Sequence, residues 1–478
     1  MTEMSGGAGE QPVQRVSEAA VMTVRTGSNS RPKRSPRYAL VTIGAVCAQI
    51  SAGIVLSGLS MFIDRIRADL WPDGQTSRAQ VQSVYTVLLL VAIAMMPIAG
   101  RLIGRWGGRR LLLIGGTISS LGLAAMSTAQ GMGGLYAFAI ITGLGFGMSV
   151  NYVPVILVNS WFHKHKGVIM GVTVAGTGLG GILSSLVFTN TNQPVSEGGL
   201  GWRASMLIGA GLYAFFCLVP AWLLVVNKPS DVGLPIYGKA AVGVDVATVR
   251  VGEVPVEQVP GLRLGQALRS GWFWLLYAMV TLLGVFCAMG QITQPFFINQ
   301  QTYPGSGMTP GLAGTLMTTQ MVGLIMAKPV LGRLIEAIGM VKAMIILMAI
   351  HGVAGYLLGT IVYPASGWIF LVIGLVGAGF AVGSLTPPLA CGLAFGQRDY
   401  ASIYGVLGSA YALGLAIGSV LWSIAGTIAA DPDQPWQLYR EAMKWCWLLS
   451  IVIITGYLFA IRGGRRAQCR LQSELTLN

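Results

Sequence analysis

Residues 97–110 read PIAGRLIGRWGGRR, and residues 329–342 read PVLGRLIEAIGMVK. The string GRLI recurs at an offset of 232 residues, together with the pairs Pro97/Pro329, Gly107/Gly339 and Arg110/Lys342. Each copy lies between two long apolar runs, so the copies mark equivalent places in two halves of one chain. A looser echo relates GVIMGVTVAGTGLGG (167–181) to ASIYGVLGSAYALGLAIGS (401–419). Parallel repeats of this size point to an alternating-access membrane carrier.

Outward from these copies, apolar runs of 19–28 residues occupy 39–63, 80–103, 111–129, 133–157, 167–189 and 203–226. Six more occupy 273–297, 311–332, 343–362, 367–394, 402–428 and 442–461. Each suffices to cross a hydrocarbon layer about 30 Å thick at about 1.5 Å per residue. The expected fold is therefore an all-α membrane protein with twelve transmembrane helices in two six-helix pseudo-repeats. The expected division is a basic tail (1–37), an N-terminal six-helix bundle (38–226), a linker (227–272), a C-terminal bundle (273–462) and a second tail (463–478). The linker carries Pro229, Pro235, Pro255 and Pro260, with room for one surface helix.

Composition agrees. Of 478 residues, 54% are hydrophobic and 10% charged, against roughly 25% charged in soluble domains. A net charge of +14 raises the question of nucleic acid, but the basic residues lie between apolar runs rather than in a patch with interleaved aromatics. No nucleic-acid partner is expected; the partners are the lipid bilayer and a small-molecule substrate, with the chain a monomer. With both termini cytoplasmic, inside segments hold 24 of the 31 Lys and Arg residues, and outside loops hold Arg65, Arg67, Arg78, Arg203, Arg440 and Lys444. The positive-inside rule selects that orientation, in the plasma membrane. Trp71, Trp106, Trp161, Trp202, Trp272, Trp368 and Trp436 fall at run ends, as an interfacial belt requires.

Several motifs dissolve on inspection. Gly176-Thr177-Gly178-Leu179-Gly180-Gly181 matches a dinucleotide fingerprint, yet it has no preceding strand and no following acid; close helix packing explains it. His163-Lys164-His165-Lys166 reads as a basic anchor, because the two lysines disfavour a metal. The six cysteines have no CxxC spacing and act as small hydrophobes. With no GxxxxGK[ST] loop and no nucleophile–base or metal set, neither enzyme activity nor a cofactor is expected.

Lys328 is the single cation well inside a run. A lysine there is costly and functional by default. It either receives an anionic substrate or snorkels the four residues to the basic edge at Gly332 and Arg333. Further polar groups inside the runs are Gln49, Ser57, Asn151, Tyr152, Gln291, Gln294, Asn299, Gln320, His351 and Tyr411. The expected substrate-binding set is Lys328, Asn151, Tyr152, Gln294, His351 and Tyr411, with His351 the first source of any pH dependence.

The chain resembles the major facilitator superfamily over residues 38–462. Gly100-Arg101-Leu102-Ile103-Gly104-Arg105-Trp106-Gly107-Gly108-Arg109-Arg110 is similar to that family's loop Gly-x-x-x-Asp-Arg-x-Gly-Arg-Arg, with glycine at 104 in place of the acid and Glu336 at that position in the second copy. The resemblance implies gating by Gly100, Arg101, Arg105, Arg109, Arg110, Arg333 and Glu336. A finer resemblance is to the oxalate/formate and monocarboxylate branch. It is carried by NSWFHKHKG (159–167) with Gly171, Gly176 and Gly180, by FGQRDYASIYGVLG (395–408), and by Ala327-Lys328-Pro329 with Gly332. It implies a secondary transporter of a small organic anion, with one cation pointing to a monocarboxylate. Lys328 replaces that branch's arginine, Leu324 stands where its animal members have an aspartate, and Leu56 replaces a tyrosine common in bacterial members. No lysine lies between 402 and 428 to match the one in oxalate exchangers. The alternatives are a carrier of neutral or cationic compounds, of the drug-exporter type, and a receptor on a transporter scaffold.

Overall fold

In hydrocarbon every backbone N–H and C=O must be bonded within its own segment, which leaves helices as the available form for such runs. The computed structural model describes residues 35–71, 78–150, 152–238, 261–291, 310–360, 367–427 and 437–477. The helices are α1 (Pro36–Leu70), α2 (Arg78–Met126), α3 (Met132–Met148), α4 (Val153–Trp161), α5 (Lys166–Thr191), α6 (Gly201–Leu223), α7 (Leu264–Arg269) and α8 (Gly271–Cys287). They continue as α9 (Pro310–Ile338), α10 (Met340–Thr360), α11 (Ile369–Gly379), α12 (Ala381–Phe395), α13 (Tyr400–Thr427) and α14 (Gln437–Leu477).

Among the described residues nine helical segments are long and apolar enough to span a membrane. One of these, 80–126, crosses twice, because Gly107 (φ 78°, ψ 159°) breaks α2 sharply. The helices Gly271–Cys287 and Pro310–Ile338 supply two more, so the crossings number twelve. Two expected single runs are interrupted. The fourth splits into α3 and α4 around 149–152, and the tenth into α11 and α12 at Phe380, while Pro387 and Pro388 sit inside α12 without ending it. The segment after 462 continues α14 as far as Leu477.

Apolar side chains cover the outside: Leu121, Leu186, Phe215, Val353, Leu371 and Phe459 are all more than half exposed, as a lipid-facing surface requires. Trp106, Trp272 and Trp368 are exposed too, consistent with interfacial positions. Trp161 and Trp202 depart from the belt. Both are buried, and their indole N–H groups donate to the Val226 carbonyl (3.0 Å) and the Asp69 carboxylate (2.8 Å).

The segments 104–110 and 333–342, around the helix breaks at Gly107 and Gly339, gather with 162–166 and 396–399 at one end of the bundle, termed the basic end. The linker is sewn to both halves there. His163 N–H donates to the Tyr237 carbonyl (2.9 Å), and Leu262 N–H to the Phe395 carbonyl (2.9 Å). Residues 239–260 lie outside the described residues, and α7 is the linker's described α-helix.

Glycines bring the helices together. A Cβ at Gly180 of α5 would meet the Ile50 carbonyl of α1, whereas one at Gly104 would meet nothing within 4 Å. Gly180→Val should therefore destabilise the N-terminal half by about 1–3 kcal/mol through overpacking, while Gly104→Ala should not. Thermal unfolding in detergent measures both; equal melting temperatures would refute this packing account.

Candidate functional site between the halves

The halves meet at the basic end along two seams. In the first, α5 lies on α9. A Cβ at Gly167 would stand 2.7 Å from the Gly332 carbonyl, and one at Gly171 would meet the Lys328 carbonyl, so only glycine permits this approach. In the second seam α2 lies on α13. A Cβ at Gly100 would come within 2.8 Å of the Ala401 carbonyl, and one at Gly405 within 2.8 Å of the Met96 carbonyl.

Lys328 sits in the first seam, 3% exposed. Its ammonium does not run along α9 to the basic edge as snorkelling requires. It crosses to α5, where it donates to the Val174 carbonyl (2.9 Å) and to Thr177 Oγ1 (2.8 Å). Thr177 in turn donates to the Val174 carbonyl (2.9 Å), leaving its hydroxyl oxygen free to accept from the lysine. Pro329 follows directly, and a proline inside a helix cannot donate to the carbonyl four residues back. The ion pairs His165–Glu336, Arg203–Asp69 and Lys444–Glu441 all lie elsewhere. Among the described residues the Lys328 cation is met by neutral oxygens.

The basic end is closed by further cross-half contacts. Glu336 accepts from the Val168 N–H at the start of α5 (3.1 Å) and lies 3.4 Å from His165 Nδ1, favoured by the positive pole of that helix. The Tyr152 hydroxyl donates to the Ala401 carbonyl. The Tyr152 ring stacks on Tyr404 (5.7 Å between centroids), which stacks on Tyr400 (5.8 Å). Asn159 Nδ2 donates to Gln397 Oε1 (2.9 Å), and Lys166 Nζ donates to Asn159 Oδ1.

The expected residues separate under this geometry. Tyr152, Gly100 and Glu336 occupy the seams. Arg109 serves its own half, donating from its guanidinium to the Trp222 carbonyl (2.5 Å) and from its N–H to Asn227 Oδ1 (2.8 Å). Arg101, Arg105, Arg110 and Arg333 are exposed, in no ion pair among the described residues. His351 is fully buried within the C-terminal half, bonded through Nδ1 to the Val376 carbonyl (3.0 Å) and flanked by Phe286 and Phe380. It lies in none of the seam contacts. Tyr411 is packed against Gly383 of α12, again inside one half. Asn151 and Gln294, like Asn299, lie outside the described residues. Gln49 Nε2 donates to the Val150 carbonyl (3.3 Å), just past the end of α3.

Sequence reasoning missed Thr177, Lys166, Gln397 and Tyr400. The 163–166 cluster is not uniformly an anchor: His163, Lys164 and His165 are exposed, while Lys166 turns inward.

Two six-helix halves joined by a linker and touching along paired glycine seams define a multi-pass α-helical membrane protein. Residues 41–306 match the sequence profile of the Major Facilitator Superfamily, and the chain belongs to that superfamily. Human monocarboxylate transporter 1 is 29% identical over 160 residues, 32% of this chain and 30% of that protein. Human monocarboxylate transporter 14 is 26% identical over 185 residues, 38% of this chain and 35% of that protein. The chain spans about a third of the length of these curated relatives. Among solved structures, a proton:xylose symporter superposes with a TM-score of 0.62 at 15% identity, covering 88% of this chain and 94% of that one. The E. coli fucose:proton symporter gives 0.59 at 15% identity, covering 89% and 98%. These likenesses confirm the fold.

Cys391 is buried beside Tyr400 and next to Gly392, whose Cβ would meet Gln397 at 2.9 Å. It serves as a reporter of basic-end closure. In protein with its other cysteines replaced by serine, Tyr152→Phe combined with Glu336→Gln should speed maleimide labelling of Cys391 several-fold, as local opening becomes easier. An unchanged labelling rate would show that these contacts do not hold the end shut.

Proposed function

We propose that this protein is a secondary transporter of a small organic monocarboxylate, working by alternating access in the plasma membrane with the basic end and both termini cytoplasmic. The observation that carries the reading is Lys328: a buried cation at the seam between two halves, met among the described residues by neutral oxygens and by no carboxylate. A lysine inside a membrane span carries a penalty that reaches about 2.5–3.5 kcal/mol at the centre and falls toward the edge, so its burial in the seam calls for a use. An anion arriving between the halves supplies the missing charge, and it takes over the acceptor role of Thr177 and the Val174 carbonyl as α5 and α9 part. One cation suits one carboxylate. The similarity to monocarboxylate transporters supports the same substrate class, and the concentration of Lys and Arg at the basic end supports the orientation. The arrangement described is closed at the basic end, the state that would receive substrate from outside.

Purified protein in liposomes, offered labelled lactate, pyruvate and formate with dicarboxylate and neutral controls, tests this directly. Lys328→Met should abolish anion binding while the fold holds or gains stability, since a buried charge is removed. Lys328→Arg should retain measurable uptake because the charge persists, reduced where the planar head seats the anion differently. Near-parent uptake by Lys328→Met would sink the assignment. For orientation, single cysteines at Ser35 and Ser473 should label only from the cytoplasmic side and one at Ser77 only from outside; reversal at any position overturns the topology.

A further inference from the structure

Among the described residues, Lys166 shares with Lys328 the property of facing both halves without a carboxylate partner. It is the first residue of α5, where the positive pole of the helix disfavours a cation. Its ammonium nevertheless turns inward, donating to Asn159 Oδ1 and lying 5.7 Å from the centroid of the Tyr400 ring. Asn159 is itself tied to Gln397. The lysine and its amide, both of the N-terminal half, are thus covered by two side chains of the C-terminal half, and that cover exists only while the basic end is shut.

The placement of Lys166 along α5 is specific. Lys166, Thr173 and Thr177 are spaced by seven and four residues, which puts them within about 40° of one another on a helix, with about 16 Å from first to last. On one flank of this stripe lie Gly167, Gly171 and Gly178, which approach α9; on the other lie Gly176 and Gly180, which approach α1. The stripe therefore faces the gap between α9 and α1. Thr177 at its far end holds the Lys328 ammonium. Thr173, between the two, is fully buried, and its Oγ1 has no hydrogen-bond partner among the described residues. A buried hydroxyl left unbonded is unfavourable, and it becomes useful if a ligand pairs with it in another state of the protein.

We infer that this stripe is the track by which the transported carboxylate passes between Lys328 and the basic end, with Lys166 and Asn159 as a second carboxylate-binding station. This rests on the reading of the protein as an anion carrier. When the halves part at the basic end, Tyr400 and Gln397 leave with their half. The Lys166 ammonium and the Asn159 amide are then two donors converging on an incoming small monocarboxylate. The Thr173 hydroxyl donates to the anion midway to Lys328.

The test is the KM for labelled lactate, pyruvate and formate presented separately at each face of oriented proteoliposomes. Lys166→Met should raise KM at the basic face about tenfold, the scale of one lost charge-assisted hydrogen bond, and leave KM at the other face within about twofold. Lys166→Arg should stay near the parent, and Lys166→Gln should reproduce Lys166→Met should the latter fold poorly. Thr173→Val should keep or raise the melting temperature yet slow turnover several-fold. A KM shift of equal size at both faces, a fall in turnover with both KM values constant, or parent kinetics in Lys166→Met and Lys166→Gln would each overturn the second station. The last two outcomes would leave Lys166 as a clasp for the closed end. The carrier reading is judged separately, by Lys328→Met: if that variant is inactive while Lys166→Met shows no face-dependent KM, the carrier stands and the station falls.

Discussion

An ammonium group at hydrocarbon depth persists only where oxygen atoms meet it, and at Lys328 those oxygens belong to the opposite half of the protein. The bonds to the Val174 carbonyl and Thr177 require α5 and α9 to lie almost backbone to backbone. That in turn requires glycine at 167, 171 and 332. Charge placement and glycine placement are thus one constraint. Any side chain at these glycines would lift α9 away from α5, and the lysine would lose its acceptors before it lost its burial.

The internal repeat places a second seam, α2 on α13, where symmetry demands it, but fills it differently. The first seam joins Glu336 to the positive pole of α5. The second has Gly104 where an acid would stand, with open space around it. Its closure relies on the Tyr152 hydroxyl and a stack of three tyrosine rings. A duplicated fold has therefore kept its geometry while its two contacts diverged in chemistry.

The fold was largely legible because lipid permits so few solutions: long apolar runs, the GRLI repeat and the sign of the loops lead to twelve helices in two sets of six. What escaped were local breaks. In the run 133–157 the break after Met148 is marked locally by Pro154 alone, in the first turn of α4, and Phe380 ends α11 while Pro387 and Pro388 do not end α12. A proline by itself does not say whether a helix starts, bends or continues there; the surrounding packing decides. Lys328 stood out as a lone cation in an apolar run, but its partners did not. A backbone carbonyl has no sequence signature, and a threonine in mid-helix ordinarily bonds its own helix. Lys166 was hidden by its neighbours in the 163–166 cluster, since only the fold shows that one of the four turns inward. His351 misled for the opposite reason. An intramembrane histidine invites a functional reading, yet Phe286 and Phe380 wall it inside its own half.

The missing acid at position 104 also bears on how the closed end comes apart. The α5–α9 seam is held partly by charge at its exposed end, through Glu336 at the first turn of α5, and a charged contact near water weakens as dissolved salt screens it. The α2–α13 seam is held by ring stacking and a neutral hydrogen bond, which salt hardly touches. The two seams therefore resist separation by different amounts as the surroundings change, and parting need not be simultaneous. Rising ionic strength should loosen one edge more than the other, so any parting of the halves would become a swing about the tyrosine stack rather than a symmetric spreading of two equal jaws.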